Sequence, residues 1–317
     1  MSPPWLLLAA LLCSGVERGE AQFVPTQAEA SVPVLYRLPE ATYAFERELI
    51  LDEPRFTVSK VRFPSPIATK HEVNNTIHAE YFQPKREGKR PAVVVLHILG
   101  ADFALSRYYA TRLASEGVAA LFLKLPYYGE RRPPGHPQRF LSTDVEETSL
   151  AMRQAVCDIR RGGSWLGNQP EVDASRRGVT GISLGGITSA LALAIDPAFD
   201  RGVTILAGGN LDEILWTMDE PGADRWRSDW LKLGRTRGEL ASLTRPYDPI
   251  TYADRLKGKR LLMMAGVVDE VVPASSARAL WEAADRPSIV WLDCGHYSSA
   301  GFLLPAIREA VGFLGRP

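Results

Sequence analysis

The sequence predicts an α/β fold in which a mostly parallel central sheet is flanked by helices on both faces. Three observations carry that expectation. Ala92–Leu96 reads AVVVL, a continuous apolar run of the kind found in parallel strands buried on both faces. From there to the C-terminus, β-forming runs alternate with segments whose apolar residues recur every three or four positions. The length, 317 residues, suits one large α/β unit as well as it suits two smaller domains.

Taken in order, the chain opens on a short apolar run, Trp5–Cys13, followed by Ser14-Gly15 and then polar residues. That run is too short to span a bilayer and has the size of a signal-peptide core, although no Lys or Arg precedes it. Gly19-Glu20-Ala21 places small residues where a signal peptidase reads, so residues 1–21 are expected to be a leader cleaved before Gln22. Residues 22–54 carry four prolines and little periodicity, and are expected to form an arm packed over the main domain, residues 55–317. Phe56–Phe63 and Thr76–Gln83 read as an antiparallel hairpin, with His71–Asn75 in the turn between them.

The parallel part starts with Ala92–Leu96. Leu105, Tyr109 and Leu113 share a helical face that Gly117 ends, and Val118–Leu125 is the next strand. Val145, Ser149, Met152, Val156 and Ile159 give a second helix, Gly178–Ile182 a strand, and Leu184, Ile187, Leu191 and Ile195 a third helix. Val203–Ala207 and Arg260–Ala265 are further strands; a helix over 274–285, a strand at Ser288–Leu292 and a helix near 300–314 complete the chain. Residues 210–245 interrupt this rhythm. The stretch holds Trp216, Trp226, Trp230 and Met218, and reads as a helical insertion, either a substrate-shaping lid or a fixed cap.

Composition excludes several functions. Lys and Arg together number 37 and Asp and Glu 37, so the basic footprint of a nucleic-acid binder is missing. No apolar run reaches about 18 residues, which excludes a membrane-spanning helix. Phosphate-cradling glycine loops and His-Glu-x-x-His patterns are missing too, so no metal and no cofactor is expected. Loss of the leader would leave Cys157 and Cys294, either bridged or as two free thiols.

The chemistry is concentrated in Gly181-Ile182-Ser183-Leu184-Gly185, set between a β run and a helical pattern. A serine forced into a sharp strand-to-helix turn needs tiny neighbours two positions away, and the glycines supply them. The free backbone N–H of Leu184, at the helix start, can then face an oxyanion. The other groups of a charge-relay triad should follow as acid and then histidine, each just past a strand end. Asp269, in Val268-Asp269-Glu270-Val271, and His296, in Cys294-Gly295-His296-Tyr297, fit; Glu270 and Asp212 are rivals for the acid. His71, His78 and His136 belong to the early hairpin and a proline-rich loop and read as structural or surface residues.

These motifs make residues 55–315 resemble the α/β-hydrolase superfamily. His97-Ile98-Leu99-Gly100 after a buried strand, and Leu123-Lys124-Leu125-Pro126-Tyr127-Tyr128-Gly129, are similar to the dienelactone hydrolase branch. The resemblance implies a second oxyanion donor at the amide of Ile98, with Leu99 the alternative. The chain departs from that branch in carrying Ser183 where the dienelactone enzymes use cysteine, and in its insertion; Ile98 replaces the glycine of a wide oxyanion hole. The expectation is a secreted or periplasmic serine hydrolase acting on carboxylic esters through an acyl-enzyme, with a small or polymer-attached ester as its partner and no nucleic acid. A peptidase or amidase of the same fold is the alternative, and an inactive binding protein a third.

Overall fold

The computed structural model describes residues 15–100, 103–135, 140–142 and 144–316. Four antiparallel strands come first: β1 (Val16–Phe23), β2 (Ala41–Asp52), β3 (Phe56–Pro64) and β4 (Thr76–Pro84). The alternating part follows as β5 (Arg90–Leu96), α1 (Ala104–Ser115), β6 (Ala119–Leu123), α2 (Val145–Gly167), β7 (Val172–Ile182), α3 (Leu184–Ile195) and β8 (Arg201–Ile205). Three helices make the insertion: α4 (Leu211–Thr217), α5 (Ala223–Lys232) and α6 (Arg237–Thr244). The chain closes with β9 (Arg260–Gly266), α7 (Ala274–Ala283), β10 (Ser288–Leu292) and α8 (Ala300–Gly315).

The described strands form one ten-stranded sheet in the order β1-β2-β3-β4-β6-β5-β7-β8-β9-β10, parallel from β6 to β10. β4 joins the two halves by pairing antiparallel with β6. The apolar run of β5 explains the layering, since strand side chains alternate between faces. Ala92, Val94 and Leu96 face a core shared with α2, α3 and α7, whereas Val93 and Val95 face one shared with α1 and α8. No described helix is long and apolar enough to cross a membrane.

The N-terminal region departs in part from the expectation of an arm, because the end of β1 and the whole of β2 belong to the sheet. β2 is a twelve-residue strand whose Tyr43 and Phe45 point inward, Tyr43 against Phe63 (5.8 Å) and Phe45 edge-on to the buried Trp165 (5.6 Å). Only residues 24–40, with 3-10 turns at Gln27–Ser31 and Val34–Tyr36, run across the surface of the domain. Residues 1–14, the body of the expected leader, lie outside the described residues. Val16–Ala21, expected to leave with that leader, make up most of β1 and pair with Ala44–Glu48 and Tyr43 of β2.

Cys157 and Cys294, the cysteines among the described residues, are both free and buried. Cys157 lies in the core on one face of the sheet and Cys294 in the core on the other, so no bridge joins them. Burial pushes the Cys157 thiol up to about 12 and raises that of Cys294, which leaves neither as a thiolate near neutral pH.

Candidate active site

β7 ends at Ile182 and α3 begins at Leu184, so Ser183 alone makes the turn. Its backbone sits at φ 53°, ψ −120°, a region that costs a non-glycine residue about 1–3 kcal/mol and is kept only where the surroundings impose it. The surroundings are strand and helix pressed together. A Cβ on Gly181 would lie 2.4 Å from the carbonyl carbon of Gly185, and one on Gly185 would lie 2.7 Å from the carbonyl oxygen of His97. The Ser183 amide donates to Ile205 O (2.8 Å) on β8, which locks the turn against the neighbouring strand.

Parallel registry brings the other groups to the same edge. Leu96 of β5 pairs with Gly181, so Ile98 and Ser183 each stand two residues beyond a paired position. Gly266 of β9 pairs with Leu292 of β10, and Asp269 and His296 lie three and four residues past those ends. Ser183 Oγ is 2.9 Å from His296 Nε2, and His296 Nδ1 is 2.9 and 3.0 Å from the Asp269 carboxylate oxygens. Asp269 is buried and also accepts from the amides of Val271 (2.9 Å) and Val272 (2.7 Å). Its carboxylate is therefore fixed by its own turn before the imidazole is added.

The rivals for the acid have other partners. Asp212 lies on α4 and pairs with Arg237 of α6 at 3.1 Å. Glu270 turns its carboxylate to the histidine loop's backbone, accepting from His296 N (2.8 Å) and Tyr297 N (3.2 Å). Burial raises the Glu270 carboxyl, but its own amide and those of His296 and Tyr297 outweigh that and hold it below the usual glutamate value.

Leu184 N, at the first position of α3, and Ile98 N donate to no protein acceptor among the described residues. Leu99, the alternative to Ile98, has a largely exposed side chain on the same loop. The loop is held by a residue that the sequence reading used only as part of a motif. His97 is fully buried; its Nδ1 is 2.7 Å from Ile98 O and its Nε2 3.1 Å from Leu125 N. A carbonyl on one nitrogen and an N–H on the other admit one neutral tautomer, protonated at Nδ1. Tyr128 and Phe103 pack on its ring with centroids 4.4 and 5.0 Å away. Burial above all, with Lys124 and Arg131 adding to it, lowers the imidazole to about 4.

The loop after β6 has a second anchor that the sequence reading missed. Arg131, from the proline-rich stretch, is fully buried and pairs with Asp158 of α2 at 2.7 Å. It also donates to Asn74 O (2.8 and 3.2 Å) and Lys124 O (3.0 Å). Asn74 Oδ1 accepts from Tyr127 N (3.0 Å), which stabilises the left-handed backbone of Tyr127 (φ 65°). His136, in the same stretch, lies outside the described residues.

The insertion separates into two parts. Trp226 and Trp230 stack on each other at 5.7 Å and, with Trp216, Leu240 and Val145 of α2, form a small core of their own. The cluster beside the elbow is different: Leu211, Ile214 and Met218 of the insertion pack with Ile187 of α3, Ala207, and Val271 and Val272 of the acid loop. The segment after α4 is tied down as well, because Asp219 N donates to Glu270 O at 2.9 Å.

The family model described as alpha/beta hydrolase domain containing 18 matches residues 39–210, and that of the prolyl oligopeptidase family matches residues 151–292. The chain is 28% identical over 214 residues to an uncharacterized protein of Mycobacterium tuberculosis, covering 65% of this chain and 50% of that protein. A second uncharacterized protein of the same organism is 28% identical over 207 residues, covering 65% and 62%. The chain thus spans about half to three-fifths of the length of these relatives. Among solved structures it is similar to an acetyl xylan esterase from Thermoanaerobacterium (TM-score 0.64, 22% identity, 85% of this chain and 87% of that one). An acetyl xylan esterase from Paenibacillus gives TM-score 0.67 at 22% identity over 84% and 88%. An acylaminoacyl peptidase from Pyrococcus horikoshii gives 0.59 at 18% identity over 87% of this chain but 45% of that one. At these identities the likeness is one of fold.

Proposed function

This chain belongs to the alpha/beta hydrolase domain containing 18 family, and we propose that it cleaves carboxylic esters through an acyl-enzyme formed on Ser183. The observation that carries the reading is the unbroken chain of contacts Ser183 Oγ, His296 imidazole, Asp269 carboxylate at the carboxyl edge of the sheet. Ser183 Oγ attacks the acyl carbon while His296 Nε2 takes its proton. Asp269 holds the Nδ1–H tautomer and stabilises the imidazolium. The amides of Leu184 and Ile98 receive the developing oxyanion, and the neutral His97 ring, its proton placed on Nδ1 by its two partners, donates to Ile98 O and holds the loop that carries the Ile98 amide. His296 then protonates the leaving alcohol and later activates the water that releases the acid.

A second reading, amide hydrolysis, is favoured by the match of residues 151–292 to the prolyl oligopeptidase family. Acetyl xylan esterases and an acylaminoacyl peptidase both share this fold, so the two chemistries are separated by assay. Turnover of p-nitrophenyl esters against matched p-nitroanilides separates the two. Ser183→Ala should lower ester turnover by at least about a thousandfold, because triad members act as a unit. A purified Ser183→Ala protein with wild-type turnover would overturn the reading.

A further inference from the structure

The acid turn presents two consecutive carboxylates to the histidine loop, and the triad uses one of them. Asp269 meets the imidazole; Glu270, next along the chain, meets the main chain that carries it. We propose that Glu270 is a positioning residue, whose carboxylate clamps the His296 and Tyr297 amides to the acid turn and so sets where the imidazole stands between Ser183 and Asp269. The inference rests on the reading of those three residues as a triad.

Three observations support it. The first is leverage. The histidine loop leaves β10 at Leu292, and between there and α8 the contacts fixing His296 are few. Its carbonyl accepts from Ser299 Oγ (2.6 Å) and its amide donates to Glu270 (2.8 Å), so the carboxylate holds one of the two ends of that peptide frame. Other ties of the loop, Val267 N to Leu292 O (2.9 Å), Val268 N to Cys294 O (3.3 Å) and Gly295 N to Ser298 Oγ (2.8 Å), stop short of the His296 amide.

The second is the space cleared for the carboxylate. A Cβ on Gly295 would lie 2.2 Å from Glu270 Oε2. Gly295 does not have positive φ, so its backbone is open to alanine, and a side chain there would meet first the Glu270 carboxylate and then Val268 O at 3.2 Å. The third is that Glu270 stands on a rigid base. The turn is fixed through Asp269 Oδ1 by Val271 N and Val272 N, and the Glu270 carbonyl accepts Asp219 N from the insertion. One residue thereby joins the acid turn, the histidine loop and the segment that follows α4.

The test uses the full-length protein and four forms: wild type, Glu270→Ala, Glu270→Gln and Gly295→Ala. Each is assayed for fluorophosphonate labelling of Ser183, for kcat and KM on p-nitrophenyl acetate, and for amide hydrogen exchange across residues 293–299. Glu270→Ala should lower kcat and labelling rate about 10–100-fold, the cost of misplacing a catalytic group by an ångström or less. KM should stay within about twofold, since substrate binding is untouched. Exchange at His296 and Tyr297 should accelerate, and Gly295→Ala should reproduce both effects by evicting the carboxylate. Glu270→Gln, whose amide oxygen still accepts, should recover most of the loss. Wild-type labelling in both Glu270→Ala and Gly295→Ala, or a change confined to KM, would overturn the clamp. Unaltered exchange at His296 in Glu270→Ala would overturn it without reference to turnover. Failure of wild type to label at Ser183 would instead strike at the triad, and the exchange result would still decide the clamp.

Discussion

Acidification should destabilise this protein through His97, and the size of the effect follows from its surroundings. The ring is fully buried between Phe103 and Tyr128, with Nδ1–H donating to Ile98 O and Nε2 accepting Leu125 N. A second proton would have nowhere to bond, because Nε2 already faces an N–H. Its value accordingly falls from 6.5 to about 4, driven first by burial. In the unfolded chain the same imidazole takes up a proton below about 6.5. Acid therefore favours the unfolded state: stability is level above pH 6.5, falls as pH drops through the window down to about 4, and is level again below it. Two and a half units at about 1.4 kcal/mol each amount to roughly 3 kcal/mol. Urea unfolding at half-unit steps from pH 7.5 to 3.5 measures it, with His97→Gln as the reference that carries the same carboxylates without this titration. The difference between the two curves should open by about 3 kcal/mol across that window. Nitrogen-15 spectra of the folded protein should show the neutral Nδ1–H tautomer from pH 7.5 down to about pH 5. A His97 that titrates near 6.5 in the folded protein, or parallel stability curves, would refute the reasoning.

Three further outcomes are expected. Arg131→Met should cost about 3–5 kcal/mol in urea unfolding because it strands Asp158 in the core, and Arg131→Met combined with Asp158→Leu should recover much of that; equal losses in both would show that the pair itself is not what matters. Trp230→Ala should cost about 3–5 kcal/mol of stability while leaving the acetyl-to-octanoyl preference alone, whereas Met218→Ala should shift that preference by about 1–3 kcal/mol; the converse pattern would place the tryptophans at the acyl pocket. Export directed by Trp5–Cys13 is a proposal that N-terminal sequencing of the secreted protein checks. If the mature chain begins at Gln22 it should melt lower than one that keeps residues 15–23, which supply β1.

The elbow was legible because its requirement is steric and local. Gly181, Ser183 and Gly185 are the residue types a strained strand-to-helix turn needs, and the gaps of 2.4 and 2.7 Å in the fold show that nothing larger fits. Asp269 and His296 were legible because parallel strands deliver their C-terminal ends to one edge, so position past a strand end stands in for distance. Glu270 was visible only as a competitor for the acid. Spacing cannot distinguish a carboxylate aimed at a ring from one aimed at the main chain beside it, and that difference is one residue of the turn. Arg131 was hidden more deeply: a guanidinium in a proline-rich loop reads as solvated, and its partner on α2 is named only by packing. The tryptophans were legible only as a choice between a substrate-shaping lid and a fixed cap. Aromatic residues in an insertion suggest a pocket wall, yet three helices standing outside the sheet need a core of their own, and Trp216, Trp226 and Trp230 supply it with Leu240. The smaller Leu211, Ile214 and Met218 then fall beside Ile187 and the acid loop.

The N-terminal strands show a harder ambiguity, in which one set of residues answers two demands. Gly19 and Ala21 read as a processing site because both are small and stand two apart. The same spacing is the repeat of a strand, and in the fold Gly19, Ala21 and Phe23 turn toward the domain while Glu20 and Gln22 face solvent. Gly19 is directly opposite Phe45 of β2, and a Cβ there would lie 2.6 Å from the ring; Ala21 is buried opposite Tyr43. Smallness is thus imposed by the aromatic residues of the partner strand, whatever a peptidase reads. β2 in turn escaped notice because Glu46, Arg47 and Glu48 interrupt its apolar pattern. An antiparallel extension with one solvated face tolerates such charges, and Glu46 bonds to Arg18 on β1 and Arg62 on β3, so the charges tie three strands together. Pattern alone therefore misjudges both strands for the same physical reason: each owes its residue types to a partner strand distant in sequence, and local periodicity carries no record of that partner.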